Sequence, residues 1–316
     1  AETGRNFCKR NKMKIQILMS AYNGEKYIEE QIQSLINNKK DDMQLSLLVR
    51  DDGSSDNTVS IVKKMQKQNL IDIDLLEESN IGVTKSFLKL IKMAPSADLY
   101  FFCDQDDVWL ADKISMAQKA MRDTSVPELY IADYYLTDGE LNIIEECAFP
   151  KEKKHTLLQI LFANVSPGCA MAFNRALLQE MQRVLPEDVP MHDLYALAVA
   201  YCSGKVYHIH APLLYYRQHG NNTEGVQSKK IDLKRIWKKQ KSMMKKPGNH
   251  TAELAQLLYT EYRTCISEEE QKNLRQIAEY KNSISRKIRL LRNKEIYYPG
   301  IRAKVLTFEK IMLGKY

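Results

Sequence analysis

From residue 13 to residue 104 four short apolar runs are separated by three segments whose apolar residues recur at helical spacing, and each run ends in a polar cluster. The first run, residues 14–19, leads through Ser20-Ala21-Tyr22-Asn23-Gly24 to a helical face of Tyr27, Ile28, Ile32, Leu35 and Ile36. The second, residues 45–49, ends in Asp51-Asp52-Gly53-Ser54, and Ser55 or Asp56 is placed to cap a helix with Val59, Ile61, Val62 and Met65 on one stripe. The third, residues 71–76, precedes Asn80-Ile81-Gly82 and a helix carrying Phe87, Leu88 and Ile91, and the fourth, residues 99–103, runs straight into Asp104. Strands alternating with helices demand right-handed crossovers and predict an α/β fold with a mostly parallel sheet covered by helices on both faces. Ligands of such sheets bind beyond the carboxyl ends of the strands. The four polar clusters are therefore expected to meet along one edge.

Beyond residue 127 the pattern loosens. Strands are expected over 129–133 and 170–173, helices over 175–184 and 194–203, and His208 and His210 face one side of a strand in a structural role. After Gly225 the composition shifts: Ile231, Leu233, Ile236, Trp237, Met243 and Met244 keep near-helical spacing among nine lysines and arginines, Pro247-Gly248 ends that helix, and helical patterns run on to Tyr316. Residues 229–316 hold 22 Lys+Arg against 9 Asp+Glu, whereas residues 1–228 hold 25 against 31. An acidic body with a basic tail suggests two jobs. A chain of 316 residues that is 44% hydrophobic can bury a full core. It has no apolar run long enough for a transmembrane helix. Residues 1–12 lack apolar periodicity and are expected to be an expression remnant or a disordered arm, and without a secretory signal the expected compartment is the cytoplasm. Cys8, Cys103, Cys147, Cys169, Cys202 and Cys265 are scattered without metal-ligand spacing and read as reduced thiols, and the sequons at Asn164, Asn221 and Asn249 as chance.

Asp104-Gln105-Asp106-Asp107 carries the sharpest chemistry. Carboxylates crowded at a strand end repel one another unless a cation or a donor network neutralises them. Hard carboxylate oxygens suit Mg²⁺ or Mn²⁺, which bind through one or two carboxylates together with substrate phosphates. A solvated acidic turn is the alternative, and the placement after a buried strand beside Asp51-Asp52 tells against it. One carboxylate of Asp51-Asp52 could accept the N3–H of a uracil or thymine with Tyr22 over the base; a plain turn is the alternative there.

Three segments then resemble successive signatures of the family 2 glycosyltransferases, in matching order and spacing: Ile17-Leu18-Met19-Ser20-Ala21-Tyr22-Asn23-Gly24, Val49-Arg50-Asp51-Asp52-Gly53-Ser54-Ser55-Asp56-Asn57-Thr58, and Cys103-Asp104-Gln105-Asp106-Asp107-Val108-Trp109. The resemblance covers about residues 13–225 and implies a GT-A fold, a nucleotide-diphosphate-sugar donor, a divalent metal and inversion at the anomeric carbon. It divides the chain into a catalytic domain over 13–228, with a donor half to about 125 and an acceptor half from about 126, and a basic helical region over 229–316. It implies that Ser20, Ala21, Tyr22 and Asn23 bind the nucleotide, that Asp52 takes the base N3–H, and that Asn80, Gly82 and Lys85 contact the donor. Asp104 is implied near ribose and metal, and Asp106 as the direct metal ligand.

Inversion needs a general base on the acceptor side of the sugar. Met191-His192-Asp193, opening a helix, matches where the family places it, which makes Asp193 the expected base; a helix N-cap is the bland alternative. Tyr216-Arg217-Gln218-His219-Gly220-Asn221-Asn222 is similar to a segment closing over the diphosphate in rhamnosyltransferase-like members. That likeness assigns Arg217 to a phosphate and His219 to the metal shell. Asn164-Val165-Ser166-Pro167-Gly168-Cys169 is similar to the border of the acceptor pocket, so Gly168, Cys169 and His192 are expected there. The implied reaction moves a sugar, L-rhamnose from dTDP-β-L-rhamnose being favoured, to a hydroxyl of a lipid-linked cell-surface polysaccharide; glucosyl, galactosyl or galactofuranosyl transfer from a UDP-sugar stays open. The basic tail suits the anionic inner face of a plasma membrane, with Trp237 at the interface, and packing on the body or a homodimer contact is the alternative. No motif supports nucleic-acid binding. A nucleotidyltransferase would want a Gly-rich basic phosphate loop after the first strand, which residues 20–24 do not supply. A non-catalytic scaffold that binds a nucleotide-sugar or a membrane is the rival from another class.

Overall fold

The computed structural model describes residues 12–147, 156–162, 165–219, 250–293, 296 and 301–315. Residues 1–11, the expected basic helix around Trp237, and Asn164, Gly220, Asn221, Asn222 and Asn249 lie outside the described residues.

The four apolar runs form strands β1 (Met13–Ala21), β2 (Met43–Asp51), β3 (Asp72–Glu77) and β4 (Leu99–Asp104), all parallel in the order β3-β2-β1-β4. Between them lie α1 (Ile28–Asn37), α2 (Thr58–Lys67) and α3 (Val83–Met93). Both faces of this sheet are covered, so the strands read as near-continuous apolar runs instead of alternating. Ile15, Ile17, Leu47, Val49 and Phe101 pack with Ile28, Ile32, Leu35, Val62 and Met65 on one side. Leu18, Leu48, Tyr100 and Phe102 pack with Phe87, Leu88 and Ile91 on the other. Neither Ser55 nor Asp56 is the N-cap of α2; that position is Asn57. Asp56 still accepts the Thr58 N–H at 3.0 Å from one residue before the N-cap.

The register decides where the polar ends go. Ala21 pairs with Asp51, Asp51 with Glu77, and Ser20 with Asp104, which sets four strand ends in one row.

Beyond β4 the sheet is mixed, where the alternation had suggested a mostly parallel one. Short β8 (Met171–Asn174) is antiparallel to β4 and to β6 (Glu128–Thr137). Long β9 (Lys205–Arg217) is parallel to β6, and two-residue β5 (Val108–Trp109) is antiparallel to β9. A hairpin strand β7 (Ile143–Cys147) pairs with β6. The reversal has a local cause: β8 enters through a 3-10 turn, Gly168–Ala170, on the acidic edge, so it must run away from that edge. The starts of β5 and β8 and the end of β9 thereby join the ends of β1–β4.

Further helices complete the layers: α4 (Lys113–Ala120), α5 (Leu157–Phe162), α6 (Arg175–Arg183) and α7 (His192–Ser203). The C-terminal helices α8 (Thr251–Tyr262), α9 (Glu268–Glu279), α10 (Ile284–Leu291) and α11 (Ile301–Met312) extend the same core, with Ala255, Leu258, Leu274, Ile277, Leu290 and Ile311 buried alongside α7. Ser267 and Glu270 form a reciprocal capping box that starts α9. Among the described residues no helix is long and apolar enough to cross a membrane.

The α7–β9 junction is tight. A Cβ on Gly204 would sit 1.9 Å from the Pro127 carbonyl oxygen, which accepts the Lys205 N–H. The backbone there is extended, so the demand is for space, not for an unusual φ. Gly204→Ala should therefore cost at least about 2 kcal/mol in urea unfolding by forcing β6 and β9 apart. An unchanged midpoint would show that the junction yields freely.

Candidate active site

On the nucleotide side, side chains fasten the β1 and β2 loops together. Asn23 adopts φ 48° and donates its N–H to Ser54 Oγ at 2.9 Å, while its side-chain oxygen accepts the Ser55 N–H at 2.8 Å. Asp51 Oδ2 accepts the Gly53 and Ser54 N–H groups, and its Oδ1 is buried without a partner. The Gln105 amide holds Tyr22 by two bonds, accepting its N–H and donating to its carbonyl, each at 2.9 Å. Gly24 makes room for that amide, since a Cβ there would lie 2.1 Å from Gln105 Oε1. Tyr22, about half exposed, is left facing outward beside Ala21 and Asn23, where a base could lie against it.

Asp52 is buried and engaged on both oxygens: Arg50 Nη1 and the Ile81 N–H donate to Oδ1, and the Gly82 N–H donates to Oδ2. Arg50, a fully buried guanidinium, also donates to Ser86 Oγ, which accepts the Ser20 hydroxyl. Sequence reasoning passed over Arg50. The signal was present, as a lone cation at the end of an apolar strand beside two aspartates. Asp52 thus shapes the loop over residues 80–82, while Oδ2, which accepts a single bond, keeps a lone pair for a ligand. Asn80 and Gly82 are exposed at that edge, and Lys85 forms an ion pair with Asp188 at 3.2 Å.

The acidic cluster comes next. Burial, then Asp106, then Asp193 push the Asp104 carboxyl up to about 7. Burial, with Asp106 and Asp104, holds Asp107 well above the usual carboxylate range. Asp107 is fully buried, accepts the Arg217 N–H at 3.1 Å, and leaves Oδ2 without a partner. Lys113 lies beneath them, buried, donating to the Cys169 carbonyl and 4.3 Å from the Trp109 ring centre. Burial lowers its pKa, and Cys169, Cys103, Asp107 and Asp104 pull the other way. No pattern in the sequence separates Lys113 from an ordinary surface lysine on a helix.

Arg217, which the resemblance assigns to a phosphate, is also bound within the protein. Nε donates to the Asp106 carbonyl at 2.8 Å, Nη1 to the Gly139 carbonyl at 2.6 Å and Nη2 to Glu30 at 2.5 Å, with the guanidinium 4.4 Å from the Tyr27 ring centre. With a donor on each of its three nitrogens engaged and its side chain buried, it braces the acidic loop. His219 stacks on the other partner of this brace, Tyr27, with ring centres 4.9 Å apart, and its Nε2 lies 2.8 Å from Asp106 Oδ2.

That pair suits a metal. A carboxylate oxygen and an imidazole nitrogen at this separation match neighbouring ligands on one ion bound at ~2.1 Å. Asp104, Asp107 and Cys169 also group within 4.8 Å. That group is the poorer host: burial keeps the Cys169 thiol neutral, and Asp107 already holds the Arg217 backbone. Among the described residues the Asp106 and His219 pair is therefore the harder of the two donor sets.

Asp193 is buried at the start of α7, accepting the Gly168 N–H at 3.1 Å and the Leu194 N–H at 2.7 Å. Its charge reaches Asp104, so the two ends of the site share one field. His192, expected at the acceptor pocket, lies in the core instead. It stacks on Phe87 at 3.8 Å and meets Phe102 edge-on, both ring nitrogens are without partners, and burial pushes its pKa down to about 3. Gly168 is needed beside it, because a Cβ would come within 2.6 Å of His192 Nε2. Cys169 is likewise buried. Successive residues of a helix diverge by about 100°, so His192 can pack on Phe87 while Asp193 reaches the Gly168 N–H.

The sequence profile of glycosyl transferase family 2 matches residues 16–181, which contain the ends of β1–β4 and the acidic cluster, while Asp193, Arg217 and His219 lie beyond it. This chain belongs to that family. It is 30% identical to the dTDP-rhamnosyl transferase RfbG of Shigella flexneri, over 69% of this chain and 78% of the relative. Among solved structures it is similar to Staphylococcus aureus TarS 1–349 in complex with UDP-GlcNAc, with TM-score 0.55 and 19% identity over 96% of this chain and 93% of that one. In a longer TarS chain the likeness takes in 46% of the length. The mannosyltransferase PcManGT of Pyrobaculum calidifontis, in complex with GDP-Man and Mn²⁺, matches with TM-score 0.52 and 14% identity over 96% of this chain and 88% of that one. The fold is GT-A, and the activity is glycosyl transfer.

Two measurements probe the site. If Arg217 is a brace, Arg217→Met leaves two part-buried carbonyls and Glu30 without its donors and lowers stability by about 2 kcal/mol in denaturant unfolding. A residue that served only the diphosphate would leave stability untouched. The folded-state pKa of Asp104 lies above its ordinary value, so between about pH 4 and pH 7 the folded chain holds more protons than the unfolded one. The stability of the chelator-treated protein should then fall as pH rises through that window. Asp104→Asn should flatten the slope, and an unaltered slope would assign it to other groups.

Proposed function

We propose that this transferase moves L-rhamnose from dTDP-β-L-rhamnose, with inversion, to a hydroxyl of a lipid-linked cell-surface polysaccharide at the cytoplasmic leaflet. The observation that carries the reading is the placement of Asp193, anchored by the Gly168 and Leu194 N–H groups within the electrostatic field of Asp104. A carboxylate there serves an acceptor hydroxyl, while the strand ends of β1, β2 and β4 serve the nucleotide. The 30% identity to a protein named as a dTDP-rhamnosyl transferase supports the donor. The Mn²⁺ in the PcManGT complex supports a divalent ion in this fold.

In this reading Tyr22 lies against the thymine, and the Asp51-Asp52 loop meets its polar edge. Asp106 and His219, with Asp104 in support, would hold Mg²⁺ or Mn²⁺, which when bound would neutralise charge on the departing diphosphate. Asp193 accepts the proton of the acceptor hydroxyl as that oxygen bonds to the anomeric carbon and the bond to the diphosphate oxygen breaks. The products are the extended glycan and dTDP. The backbone N–H groups on Asp193 orient its carboxylate, and Lys113 and Arg217 hold the opposing aspartates in place.

The test is a panel of dTDP-rhamnose, UDP-GlcNAc, UDP-galactose, UDP-glucose and GDP-mannose, with a lipid-linked or synthetic acceptor, read as nucleotide released and product linkage. dTDP-rhamnose should turn over fastest, EDTA should stop the reaction, and the product should be inverted. Asp193→Asn should cut turnover by about 10²–10⁴ while leaving donor affinity within a few-fold. Preference for a UDP-sugar would overturn the donor assignment. Undiminished turnover in Asp193→Asn would remove it as the base.

A further inference from the structure

Large apolar side chains exposed to solvent are few among the described residues, and they are unevenly placed. Of eleven, five fall between residues 284 and 313: Ile284 (67% exposed), Ile288, Val305, Phe308 (51%) and Leu313. Ile284 and Ile288 are one turn apart on α10, and Val305 and Phe308 share a stripe on α11. The inward sides of the same helices carry Leu290, Thr307 and Ile311, which are buried, so these stripes lie on a separate arc facing away from the core. Lys287 Nζ donates to the Met312 carbonyl at 2.7 Å and ties the two helices together.

The charge around the stripes is one-sided. Residues 281–315 contain ten lysines and arginines against two glutamates. Arg289, Arg292 and Lys304 are exposed beside the apolar residues. Apolar side chains flanked by long cationic ones are the make-up of a helix lying in a lipid–water interface, where apolar groups enter the acyl boundary and cations reach the head groups. A second copy is disfavoured at this face, since pairing it with itself would set two strongly positive surfaces together.

We propose that α10 and α11 form the face by which this chain lies on an anionic lipid bilayer. The proposal rests on the reading that the acceptor is lipid-linked, and it moves the contact from the residues around Trp237 to a helix pair fastened to the catalytic core. Juxtaposed cations near an anionic leaflet add to the apolar contact and make the association salt-sensitive.

The experiment is sedimentation of the full chain with vesicles of phosphatidylcholine alone and of phosphatidylcholine mixed with phosphatidylglycerol. The parent should bind the mixed vesicles, release them in high salt, and bind the neutral ones at least about tenfold more weakly. Ile284→Ser with Phe308→Ser, and separately Arg289→Glu with Lys304→Glu, should each weaken binding at least about tenfold. Both pairs are exposed, so circular dichroism and transfer to a soluble acceptor should stay as in the parent. Undiminished binding by both double variants would overturn the proposal, as would equal binding of the parent to neutral vesicles. It would also fall if lipid-free sedimentation showed self-association, or binding to an acidic protein, that the same substitutions abolished. Vesicle binding lost on substitution, in a chain that transfers nothing to a lipid-linked acceptor, would uphold this face and count only against the acceptor assignment.

Discussion

Asp104, Asp106 and Asp107 sit at a single strand end and share a field with Asp193, and their mutual repulsion has to be met by the rest of the molecule. Burial raises the cost of each charge, so two of the four carboxyls are pushed toward the protonated form. Compensation comes from opposite ends of the chain. Lys113 lies under the cluster against Trp109, Arg217 grips the loop from the end of β9, and His219 meets Asp106 directly. Carboxylates crowded in this way favour a cation among them, so the metal reading and the raised Asp104 and Asp107 carboxyls point the same way.

The brace at Arg217 also joins function to fold. Its donors reach Asp106 and Gly139, and an ion pair at 2.5 Å reaches Glu30 on α1, 187 residues away in sequence. The Tyr27 ring lies against both Arg217 and His219. The last residues of β9 therefore reach the acidic loop only when the whole sheet, including antiparallel β5 and β8, has formed. Formation of the site is in this way coupled to completion of the tertiary structure.

The acceptor half and the C-terminal helices share a core through α7, α8 and α9, so the basic region is not a free tail over its described length. Its inward sides pack on the catalytic body, and its outward stripes on α10 and α11 remain apolar and cationic. A single hydrophobic core thus supports both the carboxylate proposed as the base and the surface proposed to lie on a bilayer.

The four parallel strands, their helices and the convergence of Asp52, Asp104 and Asp106 on one edge were determined by the sequence itself. Periodicity of apolar residues and local turn chemistry are short-range properties, legible in one window at a time. Asp193 at the head of a helix was legible for the same reason. The mixed half of the sheet, the burial of His192, the internal commitment of Arg217 and the presence of Lys113 under the aspartates were decided only by tertiary structure. Each depends on partners dozens of residues away: Phe87 and Phe102 for His192, Glu30 and Gly139 for Arg217, Cys169 for Lys113. A residue type shows what chemistry a side chain can perform. Which groups have already claimed its donors and acceptors is a fact of packing, and no local pattern carries it.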